Sequence, residues 1–249
     1  MIDKFPLISV IIPTYNTAHY LPDAIESILA QNYPNFEIII IDDGSTDNTV
    51  EVLSMYEQKI IYYYQQNRGP ASARNQGLQL SKGKFIAFLD ADDLWPKDKI
   101  RRQLMHFQKS PKTDIVIGRQ RVEYLPDAKE LLYDDTLISE TQICQSLPIA
   151  LIRKTVFDII GNFDEELIYF EDWDWHLRAR ENNLNILVYD EVTNIHRRHQ
   201  NNMTHDILRM NKYAFNMFRK SLKRRRENPN ITAKLPSITE LEQRAKNEP

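Results

Sequence analysis

The sequence is poor in several residue types that carry particular chemistries. It has one cysteine, Cys144, which can neither close an internal disulfide nor complete a structural zinc site. A reducing, cytoplasmic setting is therefore expected. It has six glycines, and none is arranged as GxxxxGK[ST] or GxGxxG, which disfavours a nucleotide kinase or a dinucleotide dehydrogenase. No stretch approaches the ~20 apolar residues of a membrane span. The apolar run behind Lys4 and Pro6 is too short for a secretory leader. Charge is nearly balanced, with a net of -3, so no basic field points to nucleic acid.

What remains is an ordinary globular composition of 249 residues, 42% hydrophobic and 27% charged. That is enough for one large domain, or one domain with a tail. Residues 7–12, 36–41 and 85–89 are continuous apolar runs that stop at Pro13, at Asp42-Asp43-Gly44 and at Asp90-Ala91-Asp92-Asp93. Such runs read as strands buried on both faces. Residues 59–64 and 114–118 are further strand candidates. Helical spacing is seen in Leu21, Ile25, Ile28 and Leu29, in Val50, Leu53 and Met55 behind Asp47, across 71–80, and in Ile100, Leu104 and Phe107. The alternation predicts an α/β fold with a mostly parallel central sheet flanked by helices. Its strand ends would share one edge, where ligands of open α/β sheets bind. Residues 119–150 show no clear pattern. Residues 171–182 read as a helix and 186–189 as a strand. From Asp206 a helical tail follows, with Ile207, Met210, Ala214, Met217 and Phe218 on one side. It runs into Arg219, Lys220, Lys223, Arg224, Arg225 and Arg226.

Three acidic clusters fall at element ends. Asp90, Asp92 and Asp93 repel one another unless something positive sits among them. A hard divalent cation would serve; so would a solvated turn with helix-capping aspartates before Trp95-Pro96, and Asp93 fits a cap alone. Asp42 and Asp43 exceed what one helix cap needs, with Asp47 available as N-cap, and can accept hydrogen bonds from a base or ribose. Arg74 can balance their charge beside a diphosphate. Glu171-Asp172-Trp173-Asp174-Trp175 places carboxylates beside indoles, a niche that raises a carboxyl toward a general base's working range. Alternatively these residues form a capped helix with core tryptophans. His196, Arg197, Arg198 and His199 follow the last expected strand and could bind metal or phosphate.

These blocks resemble, in order, the family 2 glycosyltransferases of the GT-A fold. The likeness runs over about residues 5–205 through Ser9-Val10-Ile11-Ile12-Pro13-Thr14-Tyr15-Asn16, Asp42-Asp43-Gly44-Ser45-Thr46-Asp47, Asn67-Arg68-Gly69-Pro70-Ala71-Ser72-Ala73-Arg74-Asn75, Asp90-Ala91-Asp92-Asp93 and Phe170-Glu171-Asp172-Trp173-Asp174. The resemblance implies that Pro13, Thr14, Tyr15, Asp42, Asp43, Arg74 and Asp90 bind the nucleotide, most often a uridine diphosphate. It implies that Asp92 and His199 ligate Mn2+ or Mg2+, that Asp172 is the catalytic base, and that Glu171 and Trp173 contact the donor or acceptor sugar. Arg198-His199, Asn202 and Thr204 are similar to a loop that closes over the donor, with His196 where a tyrosine is usual.

The implied activity is inverting transfer from a nucleotide-diphosphate sugar to an acceptor hydroxyl, in bacterial polysaccharide, lipopolysaccharide or glycoconjugate synthesis. The acceptor would be a saccharide or lipid-linked saccharide. The expected organisation is a transferase domain over 1–205, with a donor half over 1–93 and an acceptor half over 94–205, then a basic helix and flexible tail over 206–249. The basic helix suits either peripheral contact with the inner face of the cell membrane or packing on the domain with its arginines solvated. Two rivals are a nucleotide-sugar-binding module without catalysis, against which Asp92 and Asp172 together argue, and a metal-dependent phosphatase, whose acidic strand usually comes first in the chain.

Overall fold

The computed structural model describes residues 5–131, 141–142, 144–200, 202, 207–228, 231, 235, 237 and 240–241. The first half alternates β1 (Ile8–Thr14), α1 (Leu21–Leu29), β2 (Phe36–Asp42), α2 (Thr49–Ser54), β3 (Ile60–Tyr64), α3 (Pro70–Leu80) and β4 (Phe85–Phe88). The four strands are parallel, with Ile11 opposite Ile39 and Phe88, and Ile39 opposite Ile61. Their apolar runs are continuous because helices cover both faces. Val10, Ile12, Ile38 and Ile40 enter one core layer, while Ile11, Ile39, Ile41 and Phe88 enter the other. Burial of one such isoleucine contributes about 1.5–3 kcal/mol. Gly77 lets α3 lie directly on β1, since a Cβ there would stand 2.4 Å from the Ile11 side chain.

The second half is α4 (Lys99–Lys109), β5 (Ile115–Tyr124), β6 (Thr141–Gln142), β7 (Ala150–Arg153), α5 (Thr155–Ile160), α6 (Glu171–Glu181), β8 (Ile186–Arg198) and α7 (Ile207–Glu227). The strand order is β3-β2-β1-β4-β7-β5-β6, with β8 beside β5. β7 is antiparallel to both β4 and β5, and β8 is parallel to β5. The C-terminal ends of β1, β2, β4 and β8 therefore face one edge, as the alternation predicts.

Several expectations need correction. Val50 and Met55 are exposed, and only Leu53 of that trio enters the core. α4 opens at Lys99 after a left-handed Asp98, while Trp95 is buried in the core, so neither Trp95-Pro96 nor Asp93 opens or caps that helix. β8 does not stop near residue 189. It follows β5 past a register shift at Ile117/Arg119, so His196, Arg197 and Arg198 are strand residues rather than loop residues. The polar alternation of Arg119 to Tyr124 hid the matching extension of β5. In α7 the expected apolar side is split, with Met217 buried but Phe218 turned outward. Thr204, the expected helix start at Asp206 and most of the tail beyond 228 lie outside the described residues.

Candidate active site

At the edge of the sheet, two loops are sewn together by one asparagine. Asn16 sits in the left-handed region at φ 52°, which asparagine tolerates. Its amide N–H donates to the Ser45 hydroxyl at 3.0 Å, and its side-chain oxygen accepts from the Thr46 N–H at 2.7 Å. Asp47 completes the seam by accepting from Ala18 N–H at 3.1 Å, while its other oxygen accepts from Thr49 N–H at the start of α2. Pro13 and Thr14 thus end β1 beside the 42–47 loop, with Thr14 buried and Tyr15, just past the strand, exposed.

The acids of that loop are engaged within the protein. Asp42 accepts from Ser45 N–H at 2.8 Å and from the Tyr62 hydroxyl at 3.0 Å. Asp43 accepts from the Gln65 amide at 2.7 Å, from Arg68 N–H at 2.9 Å and from Gly69 N–H at 2.7 Å. Gly69 has φ 88°, a conformation that favours glycine, and it delivers the chain into α3.

The 90–93 turn is tied to β8. Asp93 is buried, and it accepts from the Asn194 amide at 2.7 Å and the Arg197 N–H at 3.0 Å and meets His196 Nδ1 at 2.9 Å. Burial pushes its carboxyl up, against the pull of His196. Burial alone would lower His196, but the charge and hydrogen bond of Asp93, with the Asp92 charge, together raise it. Arg197 donates to the Asp92 carbonyl and, at 2.7 Å, to Asp23 on α1.

Asp92 behaves differently from its neighbour. Its Oδ2 lies 3.0 Å from His199 Nε2 and accepts from Asn202 Nδ2 at 3.1 Å. Burial opposes its ionisation, yet the His199 hydrogen bond and the His196 charge hold it below its usual value. His199 is buried and its ring stacks on Tyr20, with centroids 4.4 Å apart. A carboxylate oxygen and an imidazole nitrogen converge at one point. This donor chemistry fits a hard divalent cation that takes its remaining oxygens from substrate phosphates and water. Among the described residues no cluster of three or more His, Cys, Asp or Glu ligands occurs.

Arg74 joins the two sides. It projects from α3, buried, and donates to Asp90 Oδ1 at 2.8 Å and to Glu171 Oε1. Burial would weaken its charge, but Asp90 and then Glu171 keep it protonated. Glu171 and Asp172 open α6 behind a left-handed Phe170, where a helix N-terminus favours carboxylates. Even so, burial first and the Glu171 charge second push Asp172 up to about 8, with Arg74 opposing. Burial also raises Glu171.

The expected aromatic niche is halved. Trp173 is exposed, with its ring edge-on to Phe170 at 5.5 Å, whereas Trp175 is buried in the core against Phe157 and Phe163. Asp174 is buried too. It accepts from Arg178 at 2.8 Å and faces Arg224 of α7 at 2.9 Å, so it braces the helix and is no silent neighbour of Asp172.

The structure thus gathers Arg74, Asp90, Glu171 and Asp172 into one network and Asp92 with His199 into a second. Asp42 and Asp43 shape loops beside them. Sequence reasoning assigned no separate role to Asn16, Asn194 or the Asn75–Glu165 pair, in which Asn75 holds Glu165 at 2.9 Å and the Phe163 carbonyl at 3.0 Å, and it placed Asn202 in a donor-closing loop without its contact to Asp92. One signal was available for Asn75: Ser72, Arg74 and Asn75 stand together among the alanines of α3, and the structure buries all three, which requires partners for each.

Known proteins resemble this chain in sequence and in fold. An uncharacterized glycosyltransferase of Rickettsia typhi is 36% identical over 181 residues, which are 68% of this chain and 57% of that protein. TuaG of Bacillus subtilis, named for teichuronic acid biosynthesis, is 47% identical over 103 residues, 40% of this chain and 41% of the relative. The chain thus spans about half the length of these relatives. A crystal structure of S. aureus TarS 1-349 aligns with TM-score 0.61 at 26% identity, covering 76% of this chain and 60% of that one. The mannosyltransferase PcManGT of Pyrobaculum calidifontis, in complex with GDP-Man and Mn2+, aligns with TM-score 0.68 at 18% identity over 98% of this chain and 70% of its own, a likeness of fold. The profile of Glycosyl transferase family 2 matches residues 9–165, more than half of the sequence, and the chain belongs to that family, on the GT-A fold.

Proposed function

We propose that the chain transfers a sugar from a nucleoside diphosphate, with uridine the expected base, to a hydroxyl of a saccharide or lipid-linked saccharide, with inversion. Residues 1–93 would hold the donor and 94–205 the acceptor. The observation that carries this reading is the Arg74 bridge, in which one buried guanidinium holds Asp90 at the end of β4 and Glu171 beside Asp172. Donor edge and acidic helix start meet at that point. TarS 1-349 has been solved with UDP, at 25% identity to this chain, which supports a nucleotide-diphosphate donor here; its complex with UDP-GlcNAc is a likeness of fold. The name of TuaG supports a place in cell-surface polysaccharide synthesis.

In this reading Pro13, Thr14, Tyr15 and Asp43 form the nucleotide pocket, with Asp42 fixing the loop that shapes it. Arg74 and Asp90 sit by the diphosphate. Asp92 and His199 would hold Mn2+ or Mg2+, which when bound neutralises charge growing on the leaving phosphate. Asp172 takes the proton of the attacking hydroxyl. Its raised pKa makes it a stronger base once ionised, and the positive Arg74 close by helps it ionise. Exposed Trp173 offers a face for a sugar ring, and Glu171 keeps Arg74 in place. Holding donor and acceptor in line supplies a large share of the rate.

A panel of nucleotide sugars, each with and without Mn2+, tests the donor assignment by thermal shift, because ligand binding to the native state raises its stability. One uridine diphosphate sugar is expected to raise the melting temperature most, more so with Mn2+, and to hydrolyse slowly in water. Binding without hydrolysis or transfer would identify a binding module. Release of inorganic phosphate from simple esters would identify a phosphatase.

A further inference from the structure

α7 has two faces, and among the described residues only one packs on the fold. Inward, Met217 and Ser221 are buried, Tyr213 packs on Tyr169 with ring centroids 5.6 Å apart, Lys220 reaches Asp164 and Glu166 at 2.5 Å each, and Arg224 donates to Glu181 at 2.7 Å. Outward, Phe215 is 73% exposed, Phe218 54% and Leu222 51%. Spacings of three and four place these on one stripe. Arg219 and Lys223 follow Phe215 at four-residue steps, and Arg226 follows Leu222 by four, so cations border the same stripe. Glu227, at the very end, is the one acidic residue in α7.

We propose that this outward face of α7 docks on an anionic membrane surface. Exposed rings and a leucine set between cations, with almost no carboxylate in the helix, complement acidic headgroups over an acyl boundary. Among the described residues no helix is long and apolar enough to cross a membrane. The docking itself does not depend on what the active site does. If the transferase reading also holds, the contact has a consequence. Tyr213 meets Tyr169, two residues before Glu171, and Lys220 grips the loop that feeds α6. A docked α7 would then bring the acceptor side of the site to the surface where a lipid-linked saccharide is presented.

Co-sedimentation of the full chain with vesicles tests this. Vesicles of equimolar phosphatidylglycerol and phosphatidylcholine are expected to bind it, and pure phosphatidylcholine vesicles are not. The triple variant Arg219→Gln, Lys223→Gln, Arg226→Gln should lower partitioning about a hundredfold, at about fivefold per charge. The double variant Phe215→Ser, Phe218→Ser should lower it at least tenfold. All five positions are exposed, so the melting curves should stay close to that of the parent, and either variant suffices if the other melts early. Equal binding to both vesicle types, no binding to either, or variants that bind like the parent would overturn the proposal. A dimer in sedimentation velocity that dissociates in the phenylalanine variant, with no vesicle binding, would assign the face to a second copy of the chain instead.

Discussion

Two acidic turns end neighbouring parts of the sheet, and their carboxylates are used in opposite ways. In the 42–47 turn, Asp42 and Asp43 accept from backbone N–H groups, a tyrosine hydroxyl and a glutamine amide, all neutral donors. In the 90–93 turn the side-chain partners are mostly ionisable. Arg74 meets Asp90, His199 meets Asp92 and His196 meets Asp93. Neutral donors fix a shape. Cationic or titratable partners hold charge that a substrate or an ion can exchange with. Within the second turn Asp93 is again scaffold, buried and satisfied, while Asp90 and Asp92 keep more exposure. The partner, more than the carboxylate, separates scaffold from chemistry.

Substitutions can break that contrast. The largest effect is expected from Asp93→Ala, which strands the Asn194 amide and the Arg197 N–H in the interior. Breaking a buried pair of this kind costs about 3–5 kcal/mol, to be read from urea unfolding. A variant as stable as the parent yet unable to bind nucleotide would move Asp93 from scaffold to site. Next comes Asp92→Asn. It should unfold almost as the parent does but lose at least tenfold in Mn2+-enhanced affinity for uridine diphosphate, measured by calorimetry. Undiminished enhancement by Mn2+ would take the ion away from Asp92. The smallest effect belongs to Asp42→Asn, which gives up one strong acceptor at the Ser45 N–H and Tyr62 contacts. About 1 kcal/mol of stability is expected to go, with nucleotide affinity nearly intact. A large affinity loss at unchanged stability would make Asp42 a direct ligand and erase the comparison.

Much of the first half was legible because burial on both faces writes itself as unbroken isoleucine runs, and strand ends then place Asp42, Asp43, Asp90 and Asp92 on one edge. The second half was less so, for identifiable reasons. β7 runs antiparallel and is short, and the far half of β5 is polar because it pairs with β8 beyond the apolar core. The same extension turned His196 and Arg197 from presumed loop residues into strand residues that secure Asp93 and Asp92. Asp174 and Trp175 could not be told from Asp172 and Trp173 by residue type. Helix geometry separates them by turning the first pair inward onto Arg178, Arg224 and the core. The motif quoted Asn16, but its role depends on a left-handed backbone that no composition rule announces.

The central claim is that Asp172 is the base and that donor binding lies elsewhere. Because burial and Glu171 raise its pKa to about 8, the ionised form grows as pH rises through that value, and transfer by the parent should rise with it. For stability the sign is reversed. The folded state holds this proton more tightly than the unfolded chain does, so Asp172 favours folding at low pH and that contribution is lost as pH climbs toward about 8. The most direct measurement is Asp172→Asn, assayed side by side for uridine diphosphate binding with Mn2+ and for sugar transfer across pH, with Glu171→Gln in parallel. The account predicts normal binding, transfer at least about a hundredfold slower, and loss of the rise through pH 8. Near-normal transfer by Asp172→Asn, with Glu171→Gln inactive yet folded and able to bind, would contradict it.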